Sequence, residues 1–115
     1  MADECLVRAG VGQVDKEKLA EAATGAEANG FPHGVSARTA SGMSGEELAS
    51  AFRSKKFIES TVDAIEAAGF RVHRTPTALD PFHVTIELPK PVTEEIAKKF
   101  NRLFSLPKPN RNPRK

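Results

Sequence analysis

The stretch FRVHRTPTALDPFHVTIEL, residues 70–88, decides how this chain folds. Phe82, Val84, Ile86 and Leu88 alternate with His83, Thr85 and Glu87, the pattern of a strand with one buried face. Phe70 to Thr75 forms a second strand, and the turn-rich segment from Pro76 to Pro81 closes the two into an antiparallel hairpin. Pairing Phe70 with Leu88 and Val72 with Ile86 turns both apolar rows to the same side. That register sets Arg71 opposite Glu87, His73 opposite Thr85 and Thr75 opposite His83. Arg74 falls by parity on the apolar face, opposite Val84, snorkelling at the sheet end or aimed toward a loop that could also hold His33.

Working outward, Cys5 to Ala9 is short, apolar and closed by Gly10, so it reads as a first strand. Asp15 is placed to cap a helix running to Asn29, with Leu19, Ala22, Ala23 and Ala26 on one face and Gly30 beyond the end. Gly34 to Thr39 is a strand with Val35, Ala37 and Thr39 on one side and Ser36 and Arg38 on the other. Strand, helix and strand in this order predict a right-handed crossover between parallel neighbours. Ser44 and Glu47 have capping-box spacing, so a helix should start there and bury Leu48, Ala51 and Phe52. A second helical run follows through Ile58, Val62 and Ile65 to Gly69, either continuous with the first or bent at Arg53–Lys56. The last helix opens after Thr93 with Glu94 and Glu95, ends near Phe104 with basic residues, and buries Ile96, Phe100 and Leu103. The expected class is therefore α+β. One mixed four-stranded sheet, in the order β-α-β-α-β-β-α, carries its helices mainly on one face.

Composition narrows the possibilities. A chain of 115 residues with 39% hydrophobic side chains supports one modest core, and its single cysteine excludes an internal disulfide framework. No apolar run reaches the roughly 18 residues of a membrane span, and the acidic start through Glu4 is unlike a signal peptide, which leads to a reducing cytoplasm as the expected compartment. The formal charge of +2 averages two unlike regions. Residues 1–96 hold 10 basic and 15 acidic side chains, whereas residues 97–115 hold seven basic and no acidic ones. One compact domain over residues 1–106 is expected, followed at 107–115 by a basic tail (PKPNRNPRK) that is extended and solvated. Such a tail attracts phosphate or an acidic protein surface, or merely aids solubility.

The polar face of the hairpin is the candidate site. It gathers two imidazoles, two hydroxyls, a guanidinium and a carboxylate, and imidazoles exchange protons near neutral pH. Metal-independent RNA cleavage needs a base for the 2′-hydroxyl, an acid for the 5′-oxygen and donors for the phosphate. His83, with His73 or His33, could supply base and acid, and Thr85 assists. Arg71, Arg74 and Ser36 could bind phosphate oxygens, with Lys98 and Arg102 of the cationic end engaging the polymer. The segment HVTI, His83 to Ile86, resembles half of the two-histidine phosphoesterase signature, in which His and a hydroxyl residue two positions on recur on two strands. His83 and Thr85 match one copy. His33 with Ser36 is one position too long for the other, and His73 with Thr75 lies in the same hairpin, so no role is carried over from that family.

The remaining features point less far. The three histidines have no zinc-ligand spacing, so neither metal nor cofactor is expected. Cys5 reads as a buried small hydrophobe rather than a nucleophile. Arg8 in the first strand and Glu87 are the only residues pointing to an NAD-using transferase, too few to carry that reading. Two functions stay open: a small, toxin-like ribonuclease working on the polar sheet face, or a non-enzymatic regulatory or antitoxin-like module. The module would dock on RNA or an acidic protein by that face and the tail, and an exposed edge strand leaves dimerisation open.

Overall fold

A computed structural model describes residues 4–10, 12, 14–111 and 113. Its elements, in chain order, are β1 (Cys5–Ala9), α1 (Lys16–Ala28), β2 (Gly34–Thr39), α2 (Gly45–Ala49) and β3 (Lys56–Thr61). They continue as α3 (Val62–Ala67), β4 (Arg71–Arg74), β5 (His83–Glu87), α4 (Glu94–Asn101) and β6 (Lys108–Pro109). The α+β class holds, but the sheet has six strands rather than four, ordered β4-β5-β2-β1-β3-β6. Every pairing in it is antiparallel, so the parallel pair expected of the first two strands is not formed.

Local signals act where the chain carries them. Asp15 accepts from the Lys18 N–H at the start of α1, Thr93 from the Ile96 N–H at the start of α4, and Ser44 with Glu47 completes a capping box on α2. The hairpin takes the register read from its apolar rows, with Arg71 opposite Glu87, Val72 opposite Ile86, His73 opposite Thr85 and Arg74 opposite Val84.

Two segments depart from the sequence reading. Lys56–Thr61 is a strand inside the region expected to be helical, and Thr61 then caps the short α3. Phe57 packs to one side of the sheet and Ile58 beneath Gly12 on the other, so β3 is covered on both faces and loses the polar–apolar alternation that marks a half-exposed strand. The tail beyond Pro107 is not simply solvated. Lys108 and Pro109 pair with β3, and buried Asn110 donates from Nδ2 to the carbonyls of Ala49 (3.0 Å), Phe52 (3.4 Å) and Ser54 (2.9 Å).

The sheet separates two cores. Leu19 and Ala23 of α1, Ile65 of α3 and Phe100 of α4 cover Leu6, Val35, Ala37, Val84 and Ile86 on one face. On the other, a smaller core sets Leu48 and Ala49 of α2 over Val7 and Phe57, with Cys5, Met43, Phe52 and Phe82 packed partly buried beside them. That second face is thus roofed above β1, β3 and the Arg38 end of β2, and is more open over β5 and β4, where Ser36 is exposed and His83 and His73 are half-buried. No described helix is long and apolar enough to cross a membrane.

Candidate functional site

The open half of the second face is built by register. Across β2 and β5, Ser36 lies opposite Thr85 and Arg38 opposite His83; across β5 and β4, Thr85 lies opposite His73. Side chains of one parity therefore meet on one surface.

His83 is the best-positioned group on it. Its Nδ1 sits 2.9 Å from the Thr75 carbonyl oxygen, which only accepts, so Nδ1 carries a proton and, in the neutral tautomer this fixes, Nε2 is the acceptor. The Ser36 hydroxyl, 3.0 Å away, donates to that Nε2. Thr75 is itself fixed by a hydroxyl contact to Thr85 of 2.9 Å. Thr85 is 1% exposed, so it holds Thr75 and through it His83, and it has no open surface for a phosphate. Phe31 covers one side of the imidazole, with ring centroids 5.4 Å apart.

The other candidates separate into those that join His83 and those that do not. His73 is on the same face and donates from Nε2 to Glu87 at 2.7 Å, beside exposed Arg71. His33 is elsewhere: its Nδ1 bonds the Leu88 carbonyl at 2.9 Å, five positions before Arg38 on β2 and so roughly 16 Å along the strand from His83. Arg74 pairs with Glu4 at 2.9 Å on the helix-covered side, at the end of the sheet away from His33. Lys98 and Arg102 are exposed on α4, which packs against the opposite face; Lys98 faces Glu94 at 3.9 Å. The cationic helix thus does not extend the histidine surface.

Arg38 is a cation that sequence parity left on the polar face without marking it as buried. It is 8% exposed, lies over the Phe82 ring at 5.5 Å, donates to Asp80 from Nε (2.8 Å) and Nη2 (3.1 Å), and reaches the Leu48 carbonyl through Nη1. Burial works to raise the Asp80 carboxyl, but the hydrogen bonds from Arg38 and the Phe82 N–H outweigh it and hold Asp80 below the usual carboxylate range. Arg38 is consumed in tying the 76–82 loop to the sheet, so it offers no free fork to a phosphate.

Cys5 is not free for nucleophilic work. Burial, then its hydrogen bond to Glu59 (3.0 Å), pushes the thiol up to about 12. Among the described residues, no cluster of three or more His, Cys, Asp or Glu side chains is arranged to hold a metal ion. Arg8 and Glu87 do not share a surface, since Arg8 stacks against Phe100 and Phe104 under the helices while Glu87 holds His73 on the other side.

A cleft of about 330 Å³ adjoins His83, lined by Arg8, Ala22, Val35, Ser36, Arg38 and Phe52 among others. It opens because β1 and β2 pair only at Leu6–Thr39 and Val7–Arg38. Continuing that register would set Arg8 opposite Ala37 and Ala9 opposite Ser36, but there β1 stays with β3 and parts from β2. No protein-family model, curated protein or solved structure matches the chain.

Proposed function

We propose that the protein is a metal-independent RNA phosphodiesterase whose base is His83. The observation that carries the reading is the Thr75 carbonyl–His83–Ser36 chain: a tautomer set from behind, with a basic Nε2 turned to the open face and already accepting from a hydroxyl. In the proposed reaction, the ribose 2′-hydroxyl takes the place of the Ser36 hydroxyl. His83 Nε2 removes its proton, the 2′-oxygen attacks phosphorus, and the bond to the 5′-oxygen breaks. His73 supplies the proton to the departing 5′-oxygen, leaving a 2′,3′-cyclic phosphate and a 5′-hydroxyl. Glu87 orients His73, and Arg71 beside it favours the phosphate. Thr85 and Thr75 are positioning residues.

The test is a single-stranded RNA oligonucleotide incubated with the full chain in EDTA, its products read by mass spectrometry. Cyclic-phosphate termini are expected, with a loss of about 10²–10⁴ in rate for His83→Gln and continued cleavage by Ser36→Ala, since Ser36 only occupies the place of the 2′-hydroxyl. RNA left intact at stoichiometric protein overturns the assignment. RNA retained uncut on the same face would favour the alternative, a non-enzymatic RNA-binding module.

A further inference from the structure

The two edges of the sheet are finished differently. At the β3 edge, β6 pairs with Lys56 and Phe57, and Asn110 donates its N–H to the Lys55 carbonyl. Ser105 closes the same edge further along, donating its N–H to the Glu59 carbonyl and accepting the Glu59 N–H on its hydroxyl. β4 forms the opposite edge, with β5 as its neighbour on one side and no described strand on the other. Thr75 donates its N–H to the His83 carbonyl at 3.1 Å, so Arg71, His73 and Thr75 turn their main-chain groups to β5 by the alternation of an antiparallel ladder. The N–H and C=O groups of Val72 and Arg74 then point outward, and no described residue bonds them. Such an open row of donors and acceptors is a template for an added strand.

The side chains along this edge select the strand that fits. β4 carries Arg71, His73 and Arg74 and no acid. Arg74 is paired with Glu4 and His73 with Glu87, whereas exposed Arg71 makes no ion pair among the described residues. At the Arg71 end of the strand lies a groove of about 400 Å³ lined by Phe70, Pro89 and Ile96. Lys99 also lines it, with Nζ 5.8 Å from the centre of the Phe70 ring, and is likewise exposed and without an ion pair among the described residues. The carboxylate in this lining, Glu87, is already engaged by His73. A second copy of the chain meets like charge here. Antiparallel pairing of β4 with itself sets Arg71 against His73, His73 against His73 or Arg74 against Arg74, depending on register. We propose that β4 accepts an extended acidic segment of a partner protein as an added strand, its acids toward Arg71 and Lys99 and its alternate apolar residues toward Val72 and the groove. The proposal does not depend on RNA cleavage, because the open main chain and the two unpaired cations are present whatever His83 does.

The experiment titrates the full chain with an end-blocked heptapeptide alternating glutamate and valine, and with its lysine–valine counterpart, followed by calorimetry and by amide exchange in NMR spectra. Saturable binding of the acidic peptide is expected, with slowed exchange of the Val72 and Arg74 N–H groups. Affinity for the basic peptide should be weaker by about tenfold or more. Arg71→Glu combined with Lys99→Glu should reverse that preference. Val72→Pro deletes an outward N–H and leaves the bonds to β5 in place, so it should lose binding with the fold kept. If that variant does not fold, the charge reversal and the exchange of the parent still decide. Neither peptide bound, both bound alike, or binding without slowed exchange at Val72 and Arg74 overturns the proposal. Self-association of the parent that Val72→Pro abolishes would give the edge to a second copy and overturn the acidic partner. Peptide binding is read without RNA, so its failure is distinguishable from failure of the cleavage reading.

Discussion

Arg38 faces His83 across β2 and β5, and the two side chains are held for different ends. His83 keeps one ring nitrogen open beside Ser36, whereas Arg38 has its nitrogens committed to Asp80 and Leu48. Removing Asp80 therefore strands a buried guanidinium. Asp80→Ala should cost roughly 2–4 kcal/mol in urea unfolding, somewhat softened by the partial solvent access of the pair. A cost within about 0.5 kcal/mol, the range of ordinary surface substitutions, would show that water replaces the carboxylate. Gly34 is equally constrained, for a steric reason: a Cβ built there lies 2.0 Å from the Ile86 carbonyl oxygen. Since backbone must move to admit it, Gly34→Ala should destabilise by about 2 kcal/mol or more and be visible in the same unfolding curves.

At the scale of elements, the short β6 has more consequence than its two residues imply. Its extension places Asn110 among three carbonyls at the end of α2 and the loop before β3, and Lys108 pairs with Glu59, which also accepts from Cys5. The segment is a clasp on β3, so truncation after Leu106 should lower the melting temperature by several degrees. Asn110→Ala should reproduce much of that loss, about 1–3 kcal/mol, because buried carbonyls are left without donors. Unchanged melting of both variants would return the segment to the role of a solvated tail. The contrast between β5 and β3 explains what periodicity can reveal. β5 alternates apolar Val84 and Ile86 with polar His83, Thr85 and Glu87 in its sequence, so even its pairing partners were legible, although packing buries Thr85 as well and leaves His83 and Glu87 half-buried. β3 buries Phe57 and Ile58 in succession on opposite faces, and a run of that kind reads equally well as a helical stripe.

For the whole molecule, two carboxylates couple stability to acid. Asp80 is held low against the opposing effect of burial by Arg38 and the Phe82 N–H, and Glu59, likewise against burial, by hydrogen bonds from Cys5 and Lys108. The unfolded chain then binds more protons than the folded one in acid, so the stability these groups lend is complete above about pH 4 and drains away as pH falls through their folded values. Melting temperature should drop steeply below about pH 4, and the drop should be shallower in Asp80→Asn. The same slope in that variant would place the acid sensitivity on other groups. The amino-acid sequence by itself determined the α+β class, the helix caps at Asp15, Ser44 and Thr93, and the hairpin with its histidine face, because each depends on residues near one another in the chain. Only the tertiary structure decided the six-strand order, the antiparallel run of β2 beside β1, the burial of Arg38 and the meeting of Ser36 with His83, 47 residues apart. Alternation tells which face of a strand is buried, but it names neither the neighbouring strand nor its direction, and those two choices built the surface on which the chemistry is proposed.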